Sequence, residues 1–217
     1  MKLNLCFHGL GTCVQEREPG EARYWMAEDV FLGVLDAISE HPDVELSFDD
    51  GNRSDADIAL PALEDRGLRA TFFVLAGRLN DPSSLDPGDL RELRRKRMRI
   101  GSHGWDHVPW RGLSESEAKR ELIDARIALN EASGATITEA ALPLGRYDRR
   151  ALSRLKHAGY RRVYTSDRFP ARSGSWLQAR YSVTADDTVD SVMSIVRHRP
   201  GAADAQNLAK SLVKRVR

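Results

Sequence analysis

Short apolar stretches rich in β-branched and aromatic residues alternate with stretches of helical period along most of the chain. The first kind runs over Leu3 to His8, Val44 to Asp50, Leu68 to Leu75, Met98 to His103, Ile137 to Pro143, Tyr160 to Ser166 and Leu177 to Val183, each of ordinary strand length. Between them Val30, Phe31, Val34, Leu35 and Ile38 form one apolar helical stripe, and Leu152, Leu155 and Ala158 form a shorter one. Start and stop signals bracket the helices: Ser114 with Glu117 reads as a capping box closed by Gly134, Asp86 precedes a first-turn Pro87, and Asp148 and Gly159 flank another. Strand and helix in alternation predict parallel βαβ units, and seven strands suit an α/β barrel with its helices outside. No Pro/Ser/Gly-rich linker and no internal repeat interrupts the pattern, so residues 1–217 are expected to form one domain.

Composition changes this picture little. Lys and Arg total 33 against 32 for Asp and Glu, so no whole-chain field favours nucleic acid or an anionic membrane. A basic helix over about 203–217 is the local exception, and Leu208, Leu212 and Val216 at helical spacing make it a solvated helix end rather than a nucleic-acid patch. Met1 to His8 is too short an apolar stretch for a secretory signal and no run is long enough to span a bilayer, which leads us to expect a cytoplasmic protein. Cys6 and Cys13 are too few for a disulfide framework and lack CxxC spacing, so they are expected as buried or free thiols.

The chemistry concentrates at strand ends. In parallel β/α folds the loops at the carboxyl ends of strands converge, and His8, Asp49, Asp50, His103 and Pro143 all sit at such ends. Successive strand residues face opposite ways, so Asp49 and Asp50 can be aimed differently, one at a water and one at a metal. His103 and His107 are four apart, which in a helical turn puts both imidazoles on one face. With Asp50 they complete the three-ligand open set of a catalytic divalent metal. Zinc is the first expectation, with cobalt, nickel and iron compatible with the same donors.

At these residues the chain resembles a known family. Ser47-Phe48-Asp49-Asp50-Gly51 is similar to the Thr-Phe-Asp-Asp-Gly motif of polysaccharide deacetylases, and the segment from Ser102-His103 to His107 resembles their histidine motif. The resemblance spans roughly Leu5 to Val183. It implies a distorted (β/α)7 TIM-like barrel, Asp49 as general base, and Asp50, His103 and His107 as metal ligands. Ala141-Leu142-Pro143-Leu144-Gly145 aligns with the family's Arg-Pro-Pro-Tyr-Gly motif, which implies that the Leu144 N–H helps to bind the oxyanion. The motif arginine is missing, Ala141 standing in its place, and Arg146 is the nearby candidate to replace it. The family order usually ends with a Leu-x-His segment that supplies the general acid. The late candidate, His198, lies in a helical pattern, whereas Leu5-Cys6-Phe7-His8-Gly9 looks like that motif moved to the N-terminus. Such a move resembles the circularly permuted branch that acts on poly-N-acetylglucosamine, and it implies His8 as the acid.

Three further assignments complete the expected site: Asp167 pairing with His8, Trp176 lining a sugar pocket, and Trp105 offering an aromatic face to a pyranose. The expected function is metal-dependent removal of an N-acetyl group from an amino sugar or glycan precursor, with acetate released and an N-acetylated saccharide as the partner. Two other readings share these residues: a metal amidase acting on a small non-sugar amide, and a non-catalytic deacetylase-like carbohydrate-binding protein. No residue pattern fixes an oligomeric state.

Overall fold

The computed structural model describes residues 1–198 and 201–216. Its main sheet holds β1 (Leu3–Phe7), β4 (Val44–Asp50), β5 (Ala70–Val74), β6 (Arg99–Ser102), β7 (Glu139–Ala141), β8 (Arg162–Thr165), β9 (Leu177–Ala179) and β10 (Tyr181–Ser182). All pair in parallel, in the order β10-β1-β4-β5-β6-β7-β8-β9. The expected seventh strand is therefore two: β9 pairs with β8, β10 pairs with β1, and the single residue between them is Arg180. That step lets the chain itself close an eight-stranded, TIM-like barrel.

Alternation along the strands separates two interiors. Phe7, Phe48 and Phe72 share one register row on β1, β4 and β5 and stack at 5.4 and 4.8 Å, with Phe31 of α1 (Glu28–Ile38) edge-on against the first two. This row faces the helices, where α2 (Leu60–Asp65), α3 (Pro87–Arg95), α5 (Ala125–Ser133) and α7 (Val189–Val196) complete the main apolar core. The opposite row points into the barrel and is largely polar: Asn4, Ser47, Asp49, Thr71, Gln178 and Arg180 are all buried, with the Phe73 and Tyr164 rings among them. A barrel interior made of such groups is tolerated only where they satisfy one another.

The expected caps form as read. Ser114 and Glu117 make a capping box on α4 (Glu115–Lys119), Gly134 ends α5 at a φ of 63°, Asp86 caps α3, and Asp148 caps α6 (Arg149–His157). The basic C-terminal segment is α8 (Ala202–Val216). A small second sheet pairs β2 (Gly9–Leu10) with β3 (Trp25–Met26) and folds the intervening loop back over the mouth of the barrel. Gly9 permits this, because a Cβ there would overlap the Trp25 ring. No helix among the described residues is long and apolar enough to cross a membrane.

Candidate active site

The carboxyl ends of β1, β4, β6 and β7 open into a cavity of about 500 Å³ lined by His8, Asp49, Asp50, His103, His107 and Leu144 among others. Asp50 Oδ1 lies 3.5 Å from His103 Nε2 and 3.4 Å from His107 Nε2. Donors about 2.0–2.1 Å from a tetrahedral centre stand about 3.4 Å apart, so the three atoms are spaced as ligands of one ion.

Their surroundings fit the same purpose. Asp50 Oδ1 is buried and has no hydrogen-bond partner among the described residues. His103 Nδ1 lies 3.0 Å from the Ala141 carbonyl oxygen, which fixes its N–H there and leaves the Nε2 lone pair free. His107 Nδ1 lies 2.7 Å from Glu18 Oε2, the carboxylate–histidine arrangement that orients metal-binding imidazoles, and Glu18 is held in turn by Arg78. Burial pushes the His103 imidazole down to about 4, so it is neutral at pH 7 and able to donate its lone pair. Burial works against ionisation of Asp50, but His107, His8 and His103 outweigh it and keep the carboxyl below its ordinary range. Asp50 and His107 hold φ values of 77° and 56°, conformations unusual for residues with a side chain and common where a site over-determines its backbone.

Asp49 faces a different partner. Arg180 donates Nη1 to Asp49 Oδ1 at 2.6 Å and Nη2 to Oδ2 at 2.7 Å, with both side chains buried. Burial alone would raise the Asp49 carboxyl. The Arg180 guanidinium reverses this, His103 and His8 add to it, and Asp49 stays ionised. The guanidinium that holds Asp49 is thus Arg180, at the step between β9 and β10. Ala141 is buried beside Phe73 and Tyr164, and the guanidinium lies over both rings at 5.2 and 5.7 Å. Arg146, the replacement expected from sequence, makes no contact with Asp49 and is an exposed residue of the cavity rim.

His8 brings a ring nitrogen within 4.8 Å of the Asp49 carboxylate, and its ring packs on Tyr24 at 4.8 Å. Leu144 sits at φ 55° in the turn Pro143–Gly145, half exposed at the cavity wall. Three expectations are corrected. Asp167 does not meet His8: its carboxylate takes Lys214 Nζ and the Tyr147 hydroxyl, each at 2.6 Å. Trp176 donates to the Tyr160 carbonyl under Lys156 and lines a separate groove beside α6 and α8. Trp105 is half buried against the core under Arg120, outside the cavity lining. His198 is likewise elsewhere, 2.6 Å from Asp204.

Two residues of the site escaped the sequence reading. Arg180 had a weak signal, the one cation on the polar face that Gln178, Arg180 and Ser182 make in the alternating strand Leu177 to Val183, which in a closed barrel is turned inward to meet a carboxylate. Glu18 had none, since its loop reaches the site through contacts far along the chain, the β2–β3 pairing and the Arg78–Glu18 and Arg17–Ser84 bonds.

The polysaccharide deacetylase profile matches residues 37–163, more than half of the chain. The chain belongs to the polysaccharide deacetylase family. Among curated relatives, YxkH of Bacillus subtilis (strain 168) is 25% identical over 140 residues, covering 64% of this chain and 50% of that protein. The peptidoglycan-N-acetylmuramic acid deacetylase PdaC of the same organism is 29% identical over 114 residues, covering 52% of this chain and 24% of PdaC. The chain therefore matches half or less of the length of these family members. Among solved structures, Streptococcus pyogenes deacetylase PplD, in complex with acetate, aligns over 91% of this chain and 98% of its own with a TM-score of 0.79 at 18% identity. IcaB from Ammonifex degensii covers 90% and 97% with a TM-score of 0.72 at 19% identity. At such identities the likeness is one of fold. The profile's span contains Asp49, Asp50, His103, His107 and Leu144 and leaves out His8 and Arg180, which β1 and the closing strand bring to the same cavity.

Proposed function

We propose that the chain is a metal-dependent saccharide N-deacetylase that hydrolyses the acetamide of an N-acetylated amino sugar to acetate and a free amine. The observation that carries this reading is the convergence, in one cavity, of an orphaned carboxylate oxygen and two imidazole nitrogens at ligand spacing beside an arginine-held second carboxylate. A divalent ion held by Asp50, His103 and His107 would supply Lewis acidity toward water and toward an amide carbonyl, zinc first, with cobalt, nickel or iron compatible.

The chain's own groups divide the proton transfers. Asp49, ionised by Arg180, takes a proton from the attacking water as the new C–O bond forms. The Leu144 N–H stands to donate to the oxygen that gains charge. His8 delivers a proton to the nitrogen as the C–N bond breaks, since an amine leaves poorly until protonated. Acid and base come from different strands, and this separation suits a reaction that needs both at once.

Asp49→Asn should keep its bound metal by elemental analysis and lose activity by about 10²-fold or more. His103→Ala should lose the metal itself. Near-normal turnover in the first variant, or undiminished metal in the second, removes the assignment. His8→Ala against His198→Ala decides the acid: collapse of the latter alone would move it away from β1. Acetate release from N-acetylglucosamine oligomers, against a panel of small non-sugar amides, separates the deacetylase reading from an amidase. A protein that binds the oligomers and releases no acetate would instead be a carbohydrate-binding relative.

A further inference from the structure

The balance of charge around the cavity narrows the substrate, given the deacetylase reading on which this inference rests. Three of the four carboxylates lining the cavity are held by cations, and the fourth, Asp50, faces the two imidazoles with which it would hold the metal. Asp49 is held by Arg180, Glu18 by Arg78 and His107, Glu21 by Arg17 at 2.7 Å, and Asp50 lies between the two imidazoles. Three arginines of the same lining, Arg23, Arg146 and Arg168, are exposed, and among the described residues none of them forms an ion pair.

These three are grouped on adjoining loops. Arg146 follows the Leu144–Gly145 turn after β7, and Gly145 is so close to Ser166 that a Cβ would collide with its hydroxyl. Arg168 follows β8 at φ 58°, and its guanidinium donates to the Ser182 carbonyl at 2.9 Å. Arg23 is tied to the loop after β10, its carbonyl accepting the Ala185 N–H at 2.7 Å. Asp187, beside this arc, is turned into its own loop, accepting from the Thr184 N–H and hydroxyl at 2.9 and 3.0 Å and from the Ser191 hydroxyl at 2.7 Å. Arg168 also lies over the Tyr181 ring at 5.6 Å and is near enough to Asp187 to help lower its carboxyl, but with no ion pair among the described residues the three guanidiniums leave this side of the cavity cationic, and a bound divalent ion would add to that field.

We infer that the saccharide bears an acidic group, carboxylate or phosphate, on or next to the sugar that is deacetylated, and that Arg23, Arg146 and Arg168 receive it. Guanidinium groups suit both anions because two parallel N–H donors match two oxygens of either.

The test compares three tetrasaccharides with the metal-loaded protein: an N-acetylglucosamine tetramer, the same tetramer with alternate residues carrying a 3-O-lactyl ether, and one carrying 6-phosphates. At least one acid-bearing tetramer should exceed the neutral one in kcat/KM by about tenfold, chiefly through KM, the combined effect of exposed pairs each worth a factor of a few. The advantage should shrink as salt rises from low to several hundred millimolar. The doubly substituted Arg23→Gln, Arg146→Gln protein should bring the acid-bearing substrate down to the neutral one's level, and the Arg23→Lys, Arg146→Lys protein should retain much of the preference. Which acid wins identifies carboxylate or phosphate. Neutral tetramer processed as well as or better than both acids overturns the inference and leaves the deacetylase reading intact, as does a preference unmoved by the glutamine pair. Acetate released from none of the three removes both.

Discussion

A carboxylate taken out of water costs several kcal/mol unless a partner meets it, and Asp49, 3% exposed, depends on one guanidinium for that. Arg180→Ala should destabilise the protein by about 3–5 kcal/mol, because the ion left behind is buried and alone. Arg180→Lys should cost less but still impair activity, since an ammonium cannot make the paired bonds. Urea unfolding in chelator separates this from metal binding, and the acid limb of the pH–kcat/KM profile should move upward in both variants as the Asp49 carboxyl is released. A profile that stays put would mean that Arg180 is only packing. Asp55 is the opposite case. It is fully buried, neither carboxyl oxygen has a partner among the described residues, and burial, with Asp50 and Asp49 nearby, raises its carboxyl well above the ordinary range. The folded chain then holds the Asp55 proton more tightly than the unfolded one, so stability falls as pH rises from the unfolded value of about 4 through the raised one. Asp55→Asn should add about 1–3 kcal/mol at pH 7 and little below pH 4. Equal stabilities at pH 7 would show that Asp55 is satisfied as an ion.

At the scale of elements, strands and caps were legible because they rest on local pattern. Apolar runs ending in Asp49-Asp50 and Ser102-His103 located β4 and β6, and Ser114, Asp86 and Asp148 marked helix starts that form as read. What local pattern cannot carry is a pairing made far along the chain: the split of the last strand at Arg180 is decided by β1 and β8 together. The loop that bears His107 depends on another such contact. A π-helical turn over Arg120–Asp124, between α4 and α5, delivers the buried Glu121 carboxylate to the Trp105 and Asp106 N–H groups at 2.8 and 3.1 Å and to Trp110 Nε1 at 3.4 Å. Gly104, at φ 92°, gives it room, because a Cβ there would run into that carboxylate. Glu121→Ala should therefore act at a distance, loosening His107 while touching no metal donor. The expected outcome is metal affinity reduced about 10–100-fold, the range for outer-shell groups, with Glu121→Gln intermediate. Affinity equal to the parent in competition with a chelator would dissociate this carboxylate from the site.

Taken whole, the molecule holds its site with pieces from both ends of the chain: β1 contributes His8, the closing strand Arg180, and α8 the support of the Leu144 turn. The C-terminal helix was legible as a solvated helix end from the helical spacing of Leu208, Leu212 and Val216, which are themselves exposed in the structure. Its attachment was not, because it docks through polar groups that resemble any surface residue in sequence. Ser211 Oγ meets the Tyr147 hydroxyl at 3.1 Å, while Lys214 Nζ donates to the Gly145 carbonyl at 3.1 Å and to Asp167 at 2.6 Å. Asp167, nearly buried, needs that cation: burial raises its carboxyl, and Lys214 with Tyr147 brings it back below the usual range. Lys214→Met keeps the length of the side chain and removes the donor. Two losses should follow together, about 1–2 kcal/mol of stability from the stranded Asp167 and faster amide exchange across Leu142 to Tyr147. If the Leu144 N–H stabilises charge that develops in the reaction, kcat should fall by several-fold with KM and metal content held, because a loosened donor costs most in the transition state. An unchanged kcat alongside the faster exchange would remove Leu144 from that role while leaving the clamp by α8 in place.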